Sequence, residues 1–453
     1  MCALDRLTTA LQSVVGAEYL LTEDTAAAYA VDGVAPSIVA LPGDEEQVAA
    51  VMRLTAEHQA SVFPRGGGSH QTLGHTPKRV DVVLGVQRLQ QQIAYEPADM
   101  TTTVQAGLRL ADLQQTLGTH GQFLALDPPA AATTTVGGTV AANMSGPRRL
   151  LYGSARDLVL GIAVIMADGT RTKAGGRVVK NVTGYDLNKL YIGSLGTLAV
   201  IVELTFKLHP LPPGEHTIGI ALTAQADLAA VLHTVMQLPL RLNSLELLNA
   251  AAISWLTHSA ALPAIDTPYL LIARVEGLQE VTARQQQRLV DALQTLPAAG
   301  PLTVHTWEAE AQTSLWRTLA EFPVAMPASS SQSVLVKASL GLSGLPALLQ
   351  AAARAGTAWP VLAHAGNGIA YVSIPAQDSA VSDVADLLGH LRALDTCIAS
   401  LQGRRVIHYA PVAIKRQCEV WGSPGDDFAL MRAIKASFDP HQRLNPGRFI
   451  GGL

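Results

Sequence analysis

Apolar residues follow two rhythms along the chain, and the switches between them mark out the elements. Where they return every three or four positions, as from Leu4 to Val15 and again from Thr22 to Tyr29, a helix is expected. Short unbroken runs such as Ile38-Val39-Ala40-Leu41-Pro42 read as strands. Asp44-Glu45-Glu46 then places carboxylates in the first turn of a further helix, where the helix dipole favours them, and Val48, Val51, Met52 and Leu54 form its apolar face. The next strand ends at Phe63, so a strand–helix–strand unit runs straight into the glycine cluster Gly66-Gly67-Gly68.

Beyond that loop the pattern changes to short strands, Val82-Val83-Leu84, Ile93-Ala94-Tyr95 and Thr101-Thr102-Thr103-Val104, followed by a helix over Leu110 to Leu117. Strands from Leu158 to Ala167, turned by Asp168-Gly169-Thr170, and from Thr197 to Leu208 complete a second α+β subdomain. His209-Pro210-Leu211-Pro212-Pro213-Gly214 reads as a linker, because its prolines end any element and stiffen the connection. Two domains are therefore expected, 1–213 and 214–453. In the second, apolar strands (Tyr269 to Val275, Val334 to Ala338, Ile369 to Ile374) alternate with Ala/Leu-rich helices (Leu228 to Gln237, Val281 to Leu296, Leu345 to Ala355, Ala380 to Leu394). That alternation predicts an α+β domain with an antiparallel sheet and helices on one side.

A length of 453 residues exceeds one compact core and agrees with two domains. With 48% hydrophobic and only 15% charged residues, the chain can leave apolar surface for a partner. A net charge of −4 and the lack of a dense Lys/Arg face argue against nucleic-acid binding; Arg148-Arg149 and Arg404-Arg405 read as solvated or ion-paired surface pairs. The three cysteines, Cys2, Cys397 and Cys418, are too scattered for a cluster-binding run or a disulfide framework. Without a basic-plus-apolar leader or an apolar run of ~18 residues, the chain reads as cytoplasmic, meeting a membrane only through partners.

The chemistry concentrates in the glycine loop, Pro64-Arg65-Gly66-Gly67-Gly68-Ser69-His70. Successive glycines let main chain approach a ligand, and consecutive N–H groups form an anion nest suited to a pyrophosphate, with Gly67 keeping open the space where backbone meets phosphate. The loop is neither a G-x-G-x-x-G fingerprint nor a P-loop. Further small residues and hydroxyls follow: Asp127-Pro128-Pro129; Thr135-Val136-Gly137-Gly138 through Asn143; and Gly193-Ser194-Leu195-Gly196 through Ile201. In this order the motifs over roughly residues 30 to 213 resemble the FAD-binding domain of the vanillyl-alcohol oxidase, or PCMH-type, flavoprotein family. The tail Phe438-Asp439-Pro440, ending Leu444-Asn445-Pro446-Gly447, resembles the close of that family's FAD-linked oxidase cap domain.

The resemblance implies that the backbone of Pro64, Arg65, Gly66, Gly67, Gly68 and Ser69 holds the FAD pyrophosphate. It also implies that Pro128, Thr135, Gly137, Gly138 and Asn143 pack near the dinucleotide, that Gly196 and Ile201 line its adenosine side, and that Asn445 joins from the tail. Branches of the family that attach FAD covalently do so through a histidine directly after a Gly-Gly pair; here Ser69 follows Gly68, so His70 and His75 read as loop residues and the FAD as noncovalent. The 2-hydroxy-acid dehydrogenases of the family carry H-x-G-D-G-N-x-H and a later Glu-His pair that hold a divalent metal. This chain has His364-Ala365-Gly366-Asn367-Gly368-Ile369-Ala370-Tyr371, with Tyr371 in the second histidine's place and no Glu-His pair after Ala399. No metal site is therefore expected, with no carboxylate near His364; His364 and Tyr371 remain the candidate catalytic pair.

A flavin domain beside a lost metal motif is similar to the E-subunit family of the glycolate oxidases, whose signature Val178-Val179-Lys180-Asn181-Val182-Thr183-Gly184-Tyr185-Asp186 resembles. That resemblance implies an FAD-binding subunit working with a metal-motif flavoprotein subunit and an iron–sulfur subunit to oxidise glycolate, or a similar hydroxy acid. Two readings compete with it: a self-sufficient flavin oxidase or dehydrogenase using Tyr371, Tyr185 or His364 as base, and a cofactor-free scaffold.

Overall fold

The computed structural model describes residues 3–176, 185–330, 332–354, 359–375 and 384–453. Cys2, residues 178–184 of the signature stretch, and the first residues of the helix expected from Ala380 lie outside the described residues.

The helix foreseen at Asp44 runs Glu45–Glu57, with the Asp44 carboxylate accepting from Gln47 N and capping its first turn. Its buried face, Val48, Val51 and Met52, packs with Leu7, Leu11 and Val15 of the helix Ala3–Val15 on one side of a four-stranded sheet. That sheet has the order Leu20–Thr22, Ile38–Ala40, Val82–Gly85, Val62–Arg65, the last three parallel. A second, five-stranded antiparallel sheet follows, ordered Gln92–Glu96, Thr101–Gln105, Val200–Lys207, Val159–Ile165, Arg171–Gly175.

The chain divides into two units, and the division differs from a single cut at 213/214. The first unit is Met1–Ser145, Ser154–Leu211 and Lys415–Leu453; the second is Gly146–Gly153 and Pro212–Ile414. The C-terminal tail belongs with the first unit because Val62 N donates to Arg443 O and Asn445 N to Val62 O, which lays Leu444 as a parallel bridge beside the strand carrying the glycine loop. The proline-rich linker is also partly regular: His209–Pro210 pairs with Gln122–Phe123.

The second unit is built on one antiparallel eight-stranded sheet, ordered Leu302–Trp307, Glu215–Leu222, Tyr269–Glu276, Leu242–Asn249, Val361–His364, Ile369–Ile374, Val334–Ser339, Arg404–Tyr409. Leu242–Asn249, Tyr269–Glu276 and Ile369–Ile374 are buried at every position, so both faces of the sheet are covered and the expectation of helices on one side is corrected. Helices Ala250–Ser259 and Ala309–Ser329 take one face, meeting Leu248, Leu270, Ile272, Leu335 and Leu362. The helices Leu228–Gln237, Gln279–Gln294, Leu345–Arg354 and Val384–Ser400 form the other layer.

Candidate functional site

In the first unit the glycine loop leaves the strand Val62–Arg65 and forms the wall of a cleft of about 810 Å³, counted with its solvent-open part. Pro64, Arg65, Gly66, Gly67, Gly68, Ser69, Gly137, Gly138, Gly196, Ile201 and Asn445, all expected at the cofactor, line it together. Pro128, Thr135 and Asn143 do not; Thr135 sits behind the wall, capping the helix Val136–Ala142 by accepting from Gly138 N. Among the described residues the backbone N–H groups of Gly66, Gly67, Gly68 and Ser69 have no acceptor, as an anion nest requires.

The reason for the glycines differs from the expected one. A Cβ on Gly66 would stand 2.1 Å from Thr135 Oγ1, and one on Gly67 2.0 Å from the carbonyl oxygen of Thr133. Both glycines thus let the loop lie against the segment 133–135, and a side chain at Gly67 would push that segment away rather than fill the ligand's space. Gly68 has φ +80°, the left-handed region that favours glycine.

The tail completes the cleft. Asn445 donates from Nδ2 to Leu195 O at 2.5 Å, and Arg448 donates to the carbonyls of Gln71 and Leu73 and to Asp32 Oδ2, at 2.6, 2.6 and 2.9 Å. Lys415 adds a second cation on Asp32 at 2.9 Å and also donates to Thr72 O. The loop after the glycines is therefore clamped by Lys415 and Arg448, 343 to 377 positions later, with Asp32 beneath both; sequence reading missed all three. Behind the tail, Asp439 Oδ2 accepts from Lys435 Nζ at 2.7 Å and from Leu444 N at 2.8 Å, which explains the Asp439-to-Gly447 motif.

His70 also lines the cleft. Its Nδ1 lies 2.9 Å from Ser69 Oγ, its Nε2 is buried without a partner, and burial pushes its pKa down to about 4. FAD fits this wall: a row of free N–H groups suits its diphosphate, and His70 Nε2 is a buried polar atom still without a partner. Bound there, it would be held by the loop 65–69 with Gly138, Gly196 and Asn445 beside it.

In the second unit His364 closes the strand Val361–His364, and Tyr371 stands across the hairpin, paired with Leu362. A Cβ on Gly368 in the turn would come 2.1 Å from Leu340 O, so the turn needs that glycine. The two candidate side chains share a sheet face, their rings meeting edge to face at 5.8 Å. The face carries more than they do. Glu246, wholly buried on the neighbouring strand, accepts from His364 Nδ1 at 2.8 Å with both carboxylate oxygens, which overturns the premise that no carboxylate stands near His364. Burial holds the Tyr371 phenol well above its ordinary pKa, the nearby Arg149 only partly opposing this, so Tyr371 stays protonated. Tyr185, the other tyrosine weighed as a base, is 93% exposed.

Lys337 lies beside Tyr371 across the ladder, its Nζ 6.0 Å from the ring centroid. Burial, and secondarily the charge of Arg149, push its pKa down to about 8. Further along, Glu276 accepts from Tyr152 Oη and Asn243 Nδ2, both at 2.8 Å, and from Arg148 Nη2 at 3.1 Å. Arg274 lies over the Trp316 ring at 4.3 Å. Arg148 is thus ion-paired, as one of the two expected readings had it, but with a buried carboxylate, and Arg405 pairs with Asp395; Arg149 puts its charge near Lys337 and Tyr371. Glu246 and Lys337 had a signal: each is a lone charge inside an apolar strand, Leu245-Glu246-Leu247 and Val336-Lys337-Ala338.

Residues 36–175 match the family described as "FAD binding domain", and residues 211–403 and 414–449 match "FAD linked oxidases, C-terminal domain". The chain is 28% identical to a D-2-hydroxyglutarate dehydrogenase of Xanthomonas citri pv. viticola, over 92% of this chain and 89% of that protein. It is 27% identical to glycolate oxidase subunit GlcD of Bacillus subtilis, again over 92% and 89%. Among solved structures, p-cresol methylhydroxylase with substrate bound superposes with a TM-score of 0.75 at 16% identity, covering 98% of this chain and 96% of that one, and so shares the fold. The chain belongs to the FAD-linked oxidases, with their two-part architecture. It is an FAD-dependent oxidoreductase by family, and its cofactor is FAD.

Proposed function

We propose that the chain oxidises glycolate, or a similar short 2-hydroxy acid, to the 2-oxo acid, as the noncovalent FAD-binding subunit of a glycolate oxidase complex. Its partners would be a metal-motif flavoprotein subunit and an iron–sulfur subunit, with any membrane attachment made through them. The observation that carries the substrate class is the Glu246–His364 pair on the sheet face that also holds Lys337, with the charge of Arg149 from the short helix Arg149–Tyr152 felt there. With Nδ1–H donated to Glu246, the lone pair of His364 Nε2 is free to take the hydroxyl proton, and the buried carboxylate stabilises the imidazolium so formed. Lys337 and Arg149 supply paired positive charge for the substrate carboxylate. FAD supplies the two-electron acceptor for the hydride from the carbinol carbon. The names of the relatives, a D-2-hydroxyglutarate dehydrogenase and a glycolate oxidase subunit, support this class.

The subunit role rests on Tyr371 replacing a metal-ligating histidine and on the lack of a cysteine run, which leaves single-electron transfer to others. The self-sufficient reading gains from Glu246, since an oriented imidazole is a base that needs no metal. Glycolate-dependent dye reduction by the isolated chain, by the partner chains, and by the mixture decides between them. Activity from the mixture alone is expected; full activity from the chain alone establishes the self-sufficient enzyme, and full activity from the partners alone rejects both.

A further inference from the structure

A run of four side chains ends at His70 and fixes which of its nitrogens carries the proton. The Thr139 hydroxyl donates to the main-chain oxygen of Thr135 at 3.0 Å, an atom that can only accept. Thr134 Oγ1 lies 3.3 Å from Thr139 Oγ1, whose only proton is already committed, so Thr134 is the donor there. Ser69 Oγ donates to Thr134 Oγ1 at 3.2 Å. With both hydroxyl protons pointing away from the imidazole, Ser69 Oγ can only accept from His70, 2.9 Å away, and the proton sits on Nδ1. Nε2 is then a bare lone pair, buried, without a partner, on a ring that lines the FAD cleft.

We propose that His70 is an FAD-positioning residue whose Nε2 accepts a hydrogen bond from an O–H or N–H group of the bound dinucleotide. A diphosphate oxygen carries no proton to give, so the partner is a sugar or ribityl hydroxyl, or a ring N–H. The pKa of about 4 keeps the imidazole neutral and able to accept. Without this acceptor the cofactor's donor would be left unmet in the cleft, which costs about tenfold in affinity. This inference depends on the family's cofactor and is independent of which hydroxy acid is oxidised.

The test is FAD affinity, read by flavin fluorescence, for wild type, His70→Phe and His70→Gln. Phe keeps the ring and removes the acceptor, while Gln restores an acceptor oxygen. About tenfold weaker binding for His70→Phe with recovery in His70→Gln is expected; wild-type affinity in His70→Phe overturns the proposal. Competition by ADP and by FMN identifies the donor's half of the cofactor, as the half whose affinity falls in His70→Phe; a fall for neither half counts against the contact. Should the Phe variant not fold, 15N chemical shifts of His70 in the wild-type holoprotein decide. A protonated Nδ1 with an acceptor-type Nε2 supports the assignment, and a proton on Nε2 refutes it.

Discussion

Lys337 shows how a single side chain can be placed at the expense of stability. No carboxylate pairs with its ammonium among the described residues, and burial with the charge of Arg149 lowers its pKa from 10.5 to about 8. Between those two values the unfolded chain holds a proton that the folded chain has released, so native stability rises with pH through that window; below about pH 8 the cost of the partly buried charge is complete. Lys337→Met should therefore stabilise the protein at pH 7 by on the order of 2–3 kcal/mol, with the gain shrinking towards pH 10. Thermal unfolding at both pH values measures it, and a less stable variant at pH 7 contradicts the reading. In the same experiment glycolate should raise the melting temperature of wild type below pH 8 and do so less above it, since a neutral amine attracts no carboxylate; the variant, left with Arg149 alone, should gain less from the ligand.

At the scale of elements, the tail is held by Asp439. Its carboxylate accepts from the buried Lys435 and from Leu444 N, and the bridge from Leu444 to Val62 sets Asn445 at the cleft. Asp439→Ala would leave Lys435 with only the carbonyls of Thr197 and Leu444, a buried cation without its counter-charge. We expect a loss of about 3 kcal/mol in denaturant unfolding together with weaker FAD binding, because the same residue fixes the cleft wall. Unchanged FAD affinity would separate the tail from the site. The Asp439-to-Gly447 motif was legible as a string, and its partner was not: the contact that gives it meaning spans the chain from Val62 to Leu444.

For the whole molecule, the position of His70 bears on how FAD is held. The imidazole is one residue beyond the place from which related proteins attach their flavin, and its Nδ1 faces Ser69. Acid precipitation of the holoprotein should release all of its flavin to the supernatant, and colour kept in the pellet would show a covalent link. None of the described helices is long and apolar enough to cross a membrane. The apolar composition instead fills a sheet covered on both faces, which explains why strands such as Leu242–Asn249 show no alternation to the eye.

What the sequence determined by itself was whatever depends on near neighbours. The helix that starts at Asp44 and the glycines that follow a strand each act over a few residues, and local spacing reports them faithfully; the FAD motifs were legible as a series of such local strings. Tertiary structure alone decided what the long-range pairings decide. It gave His364 its carboxylate from a strand 118 residues away, placed Arg149 beside Lys337, turned His70 into an acceptor through Thr134 and Thr139, and returned the tail to the first unit. The physical reason is common to these cases: a buried charge or lone pair is defined by whichever group meets it across the packed interior, and chain order carries no record of that meeting.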